Sequence, residues 1–139
     1  MKGSALDDPL SRVVSARVAR LATVGDHGEP HIVPIVFAVH EDRIVTAVDH
    51  KPKRTTDLKR LRNITSNQKV SVLVDHYDDD WSHLWWVRID GRAKVVATGP
   101  LFAAAIATLV EKYQQYRDQI PGGPVVIVTI EQVKSWEAG

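Results

Sequence analysis

Two spacings of apolar residues share the chain. Leu10, Val13, Val14 and Val18 recur at helical intervals behind Asp7 or Asp8 as a cap and Pro9 at the first helical position. That pattern predicts a short amphipathic helix. "ARLATV" then alternates and stops at "GDHGEP", whose two glycines predict a hairpin turn. "HIVPIVFAVHED" predicts a long second strand interrupted by Pro34. Proline cannot donate to a ladder, so Pro34 marks an edge, a bulge or a place where another group approaches the backbone. "RIVTAVD" predicts a third strand after a tight "ED" turn.

A second helix follows, capped by Thr55 or Thr56, with Leu58, Leu61 and Ile64 on one side and Lys59, Arg60 and Arg62 mostly on the other. "KVSVLVDHY" and "LWWVRIDGRAKVV" predict strands four and five, the latter bent at Gly91. Gly99-Pro100 opens the longest predicted helix, to about Arg117, with Leu101, Ala105, Leu109 and Tyr113 along one face. "IPGGP" ends it, and "VVIVTIEQVKSW" is the last strand. There is no internal repeat and no linker. The order fits one α+β domain over residues 1–139, mainly β: antiparallel hairpins around a closed or half-closed sheet, with helices at its ends.

Charge adds a local feature to this picture. The formal net charge is only +1, so no overall field draws the protein to DNA or a membrane. Yet Lys51, Lys53, Arg54, Lys59, Arg60 and Arg62 crowd into twelve residues with a single carboxylate, Asp57. Cations and the hydroxyls of Thr55 and Thr56 beside a helix start make a phosphate site by ordinary physics. A solvated basic helix face explains the same pattern equally well. Nucleic acid fits less well, because no second basic stripe exists.

The chain has no cysteine, which excludes disulfides, thiolate metal sites and a cysteine nucleophile and fits a reducing compartment. No apolar run reaches the ~20 residues that span a bilayer, and the N-terminal stretch has no apolar signal core. The expectation is a soluble cytoplasmic protein. In "DHYDDDWSHLWW", Asp75, His76, Asp80 and His83 are conceivable metal ligands, although the three aspartates read more simply as a solvated turn. Adjacent Trp85 and Trp86 on a strand must face opposite sides, so one fills the core and the other a surface, a pocket or a subunit interface. No nucleophile elbow, Walker loop or dinucleotide fingerprint is present. If the protein is an enzyme, a cofactor carries the chemistry.

The motif order "LATVGDHGEPHIVPIVF", "RIVTAVDHKPKRTTDLKRLRNI", "KVSVLVDHYDDDWSHLWWVRIDGRAKVV" resembles the split β-barrel flavin family over roughly residues 8–133. That family includes the pyridoxamine 5′-phosphate oxidases and the coenzyme F420 (deazaflavin)-dependent reductases of actinobacteria. The resemblance implies a homodimeric, FMN-binding-like split β-barrel with the cofactor lying between two subunits. It implies that Lys51, Lys53, Arg54 and Thr55 grip the cofactor phosphate. It also implies that backbone groups of Val33, Pro34, Ile35 and Val36 meet the ring. Trp86 stands where the oxidases often place a glutamine that reaches the flavin. FMN-using members typically carry an arginine and a lysine in the second strand, and "PHIVPIVFAV" has neither. The chain also lacks the C-terminal segment with which the oxidases bind pyridoxamine phosphate. These departures lean toward an F420-dependent oxidoreductase acting on a small organic substrate. An FMN-binding protein of the same fold and a haem-binding or cofactor-free module are the alternatives. No dedicated catalytic residue and no metal ligand is assigned; His76, Tyr77 and Arg88 are the weakest of candidates for acid–base work.

Overall fold

The computed structural model describes residues 8–48 and 58–139. The elements among the described residues are α1 (Pro9–Ser15), β1 (Ala19–Val24), β2 (Pro30–Ile35), β3 (Ala38–His40), β4 (Arg43–Ala47), α2 (Lys59–Ser66), β5 (Lys69–His76), β6 (Trp85–Val96), α3 (Pro100–Lys112), α4 (Gln114–Asp118) and β7 (Val125–Glu137), with a 3-10 turn at Trp81–His83. The strands form one antiparallel sheet in the order β2-β1-β5-β6-β7-β4-β3. Thus β2 and β3 lie at opposite edges, although only Val36 and Phe37 separate them in sequence. A flat seven-stranded sheet would hold its edges roughly 29 Å apart, whereas the three Cα–Cα steps from Ile35 to Ala38 reach at most about 11 Å. The sheet must therefore curl until its edges nearly meet. The result is a split β-barrel, with the seam at Val36–Phe37.

Cross-strand register explains the patterning. Val33, Leu21, Val72, Ile89 and Val133 stand in one row across β2, β1, β5, β6 and β7. Leu21, Val72 and Ile89 in that row are fully buried in the barrel interior. The neighbouring row, Pro34, Arg20, Leu73, Arg88 and Lys134, faces outward. Strands β5 and β6 therefore alternate. The runs "RIVTA" and "VVIV" do not, because β4 and the start of β7 are covered on both faces. Ile44, Val126 and Val128 point into the barrel, while Val45, Ala47, Val125 and Ile127 pack beneath Ala105, Leu109, Tyr113 and Tyr116 of the α3–α4 layer.

Several expected elements shift. The long second strand is two strands, since the chain crosses between sheet edges at Val36–Phe37. The last helix breaks at Tyr113, whose backbone is extended (φ −118°, ψ 124°). Helix α1 is capped by Asp8, whose side chain accepts from the Leu10 N–H, and ends at Ser15; Val14 and Val18 are exposed rather than part of a helical face. Helix α2 begins at Lys59 with Leu58 as an extended N-cap that makes no side-chain capping bond. A cap at Thr55 or Thr56 would start it two or three residues too early, and both threonines lie outside the described residues. The bend at Gly91 is present as a register shift between Asp90 and Gly91. A Cβ there would be driven into the Thr129 carbonyl oxygen. Pro34 does sit on an edge strand, where a missing donor is tolerated.

Candidate functional site

Beside the seam lies a cleft of about 210 Å³ lined by Val18, Pro34, Ile35, Val36, Thr46, Ala47 and Arg60. Each wall has a local cause. Strand β2 ends at the crossover and presents Pro34, Ile35 and Val36 in succession. Strand β4 runs beside the crossover and contributes Thr46 and Ala47. The Thr46 hydroxyl donates to the Val36 carbonyl at 2.7 Å, so the two walls are tied together. Arg60 arrives on the first turn of α2. That helix is seated by Ile64 in the barrel core and by Asn63, whose buried amide donates to the buried Thr23 hydroxyl at 2.9 Å. The lining side chains are apolar apart from one hydroxyl and one guanidinium, a surface suited to a flat ring system with an anionic group at its end.

On the far side of the crossover the backbone is held by a second hydroxyl. The Phe37 N–H donates to Tyr113 Oη at 3.1 Å, and Tyr113 Oη lies 2.8 Å from the Phe37 carbonyl and 2.9 Å from the Arg17 carbonyl. Lys112 Nζ donates to the Ala16 carbonyl at 2.6 Å and sits 4.2 Å above the Phe37 ring. Burial, assisted by the Arg17 charge, pushes Lys112 down to about 8. Burial also pushes the Tyr113 phenol up, against its bond to the Phe37 backbone.

Of the residues singled out from sequence, Pro34, Ile35 and Val36 come together in the cleft. Val33 turns inward and packs against the barrel core. Trp85 does likewise, stacked on His76 with centroids 5.8 Å apart and with Arg12 4.9 Å over its ring. Trp86 takes the opposite, outer face. It stands opposite Asp75 on β5 and Trp136 on β7, the same face as Pro34 but three strand spacings, roughly 14 Å, along the sheet. Lys51, Lys53, Arg54 and Thr55 lie outside the described residues. Arg60, one of the cations of the basic cluster, does line the cleft; Thr46 and Tyr113 were not singled out as site residues, because nothing in local spacing says that a mid-strand threonine or a helix-end tyrosine will reach the seam.

The "DHYDDDWSH" segment forms a self-satisfied turn. Asp80 accepts from the Ser82 hydroxyl and N–H, and Asp78 accepts from the Asp80 N–H with His83 Nδ1 at 3.3 Å. These bonds hold both carboxyls below the usual range: for Asp80 the Ser82 hydroxyl leads, and for Asp78 the Asp80 backbone N–H. Among the described residues no three His, Cys, Asp or Glu side chains are grouped to hold a metal ion. On the outer face a wider groove of about 370 Å³ runs past Ser71, Asp90 and Glu131. Its carboxylates are already engaged, Asp90 by Ser71 and Arg88 and Glu131 by Arg92. The Ser71 hydroxyl is the main reason that the Asp90 carboxyl is held low.

No helix is long and apolar enough to cross a membrane, among the described residues. The sequence profile described as pyridoxamine 5′-phosphate oxidase matches residues 9–137. A 5a,11a-dehydrotetracycline/5a,11a-dehydrooxytetracycline reductase from Streptomyces rimosus subsp. rimosus is 36% identical over 81 residues, 58% of this chain and 56% of that protein. The match thus spans little more than half of the reductase. Among solved structures, a FAD-binding protein from Mesorhizobium loti superposes with TM-score 0.70 at 24% identity, covering 98% of this chain and 96% of that one. A heme binding protein from Mycobacterium smegmatis superposes with TM-score 0.79 at 18% identity, covering 99% of this chain and 56% of its own. These likenesses establish the fold.

Proposed function

Because this chain belongs to the pyridoxamine 5′-phosphate oxidase family, we propose that it is an oxidoreductase built around a phosphorylated flavin-type cofactor, specifically the deazaflavin coenzyme F420. The observation that carries this reading is the cleft. It sets a flat apolar wall, Pro34 to Val36, beside the cation Arg60, on the helix that the basic stretch Lys51, Lys53, Arg54 and Thr55 precedes in sequence. That donor set fits the group: an apolar surface for the ring, and charge and hydroxyls for the phosphate and any further anions. When bound, the cofactor supplies two-electron hydride transfer. The chain's own part is to hold the ring against Pro34–Val36, to pair the anionic end with the basic segment and Arg60, and to exclude water. The residues assign no acid–base step.

We infer that a second protomer completes the site. Sites that enclose a drug-sized ligand measure roughly 300–1,000 Å³, so a cleft of about 210 Å³ supplies only part of an enclosure. Trp86 shares the outer face with Pro34 but is too far along its own sheet to touch the same ring. It serves a cofactor only across a dimer. The relative from Streptomyces rimosus is named for reducing dehydro compounds, which supports small unsaturated organic molecules as acceptors here.

Titration of the apoprotein with F420 and with FMN, followed by tryptophan quenching, tests the choice. Binding of F420 at least tenfold tighter is expected, a difference of about 1.4 kcal/mol. Equal or tighter FMN binding would place the protein with the flavin users, and a Soret band on titration with haem would replace both.

A further inference from the structure

Residues 36 and 37 pose a problem that the sheet does not solve. They belong to no strand, and Phe37 is fully buried, so their backbone groups need partners from elsewhere. Two side chains provide them. From β4, the Thr46 hydroxyl donates to the Val36 carbonyl. From the break between α3 and α4, 76 residues further along, Tyr113 Oη accepts from the Phe37 N–H and lies within donating distance of the Phe37 and Arg17 carbonyls. The phenol has one hydrogen, so the two carbonyls share it, and this ties the α1–β1 connection to the seam. Tyr113 is the C-cap of α3, its N–H still donating to the Leu109 carbonyl, so the end of that helix delivers the ring to the crossover.

The peptide held in this way is also the wall of the cleft. Ile35, Val36 and Thr46 all line it, so a displacement of the crossover moves three lining residues at once. Binding sites tolerate only about 0.5 Å of such error. We propose that Tyr113 and Thr46 are positioning residues for the cofactor: two hydroxyls, one on each side of the Val36–Phe37 peptide, that set the wall on which the ring rests. This inference rests on the cofactor reading of the cleft. Tyr113 is not a lining residue and acts through the backbone of Phe37.

The test removes each hydroxyl alone. Tyr113→Phe keeps the ring and its packing. Thr46→Val keeps the shape, and Thr46→Ser restores the donor. Each variant is titrated with F420 and FMN, and exchange of the Phe37 amide is followed by NMR in the cofactor-free protein. Val87→Ala, in the core on β6, serves as a control of comparable stability loss. The expected result is a Phe37 amide that exchanges at least tenfold faster in Tyr113→Phe. Cofactor affinity should fall at least tenfold in Tyr113→Phe and Thr46→Val, return toward wild type in Thr46→Ser, and stay unchanged in Val87→Ala. Faster exchange with unchanged affinity would overturn the proposal while leaving the cofactor reading intact. An equal affinity loss in Val87→Ala would reduce the effect to stability and overturn it as well. Wild-type protein that binds neither cofactor would remove the cofactor reading itself and, with it, this inference.

Discussion

Replacing Asn63 by alanine probes how α2, and with it Arg60, is fixed to the barrel. Asn63 is 4% exposed, Thr23 is 1% exposed, and the amide donates to the threonine hydroxyl at 2.9 Å. Two effects add on truncation. A net hydrogen bond of about 1 kcal/mol is lost, and a buried hydroxyl is stranded at a further cost of about 1–3 kcal/mol. A total near 2–4 kcal/mol follows, and at roughly 4 °C per kcal/mol for a chain of this length the melting temperature should fall by about 8–16 °C. Thr23→Val strands the amide instead and should cost a similar amount. The double variant Asn63→Leu/Thr23→Val removes both polar groups together and should cost much less than the sum of the singles. Urea unfolding of wild type, singles and double gives the cycle, with a coupling of about 1–3 kcal/mol expected. Strict additivity would refute the argument, because it would mean that the pair does not act as a unit.

Gly91→Ala should destabilise by at least ~2 kcal/mol in urea unfolding, because the added methyl meets the Thr129 carbonyl and the β6–β7 ladder must open to admit it. Stability should also depend on pH through Lys112 and Tyr113. Between about pH 8 and 10 the unfolded chain still holds the lysine proton that the folded chain has released, so the unfolding midpoint should rise across that window. Above the ordinary tyrosine value of 10.0 the unfolded phenol ionises before the folded one, so stability should then fall. Lys112→Met should abolish the rise. Lys53→Ala/Arg54→Ala should weaken cofactor binding at least tenfold with little change in melting temperature, since charge-assisted contacts contribute about 1.5–3 kcal/mol each. Sedimentation with cofactor present should report a dimer at micromolar concentration, and a monomer would rule out a shared site.

The half of the barrel that faces water on one side was the more legible. In β1, β5 and β6 one face is packed and the other solvated, and alternation with a period of two marks both the strands and their faces. The seam was hidden for the opposite reason. "IVPIVFAV" is apolar throughout, because the end of β2 and the start of β3 are covered on successive sides, and no glycine marks the place where the chain leaves one edge for the other. The break at Tyr113 was equally silent, since Gln114–Asp118 resumes a helix and the periodicity passes over one extended residue. As for the site, Pro34 stood out because proline in a strand demands a reason. Thr46 and Tyr113 matter only through partners ten and 76 positions away, a relation that no local pattern encodes.

Pro30 and Pro34 have a consequence beyond the cleft. They lie four residues apart on β2, an edge strand, so by the period of two their missing donors fall on the same side. Prolines in sheets occupy positions where the N–H would point away from the ladder. A free edge with its full set of donors is a template for foreign strands and for fibril growth. A barrel that stays split keeps such an edge permanently, because closing it would seal the cleft. The two prolines let this protein keep an open seam without offering it as a start point for aggregation.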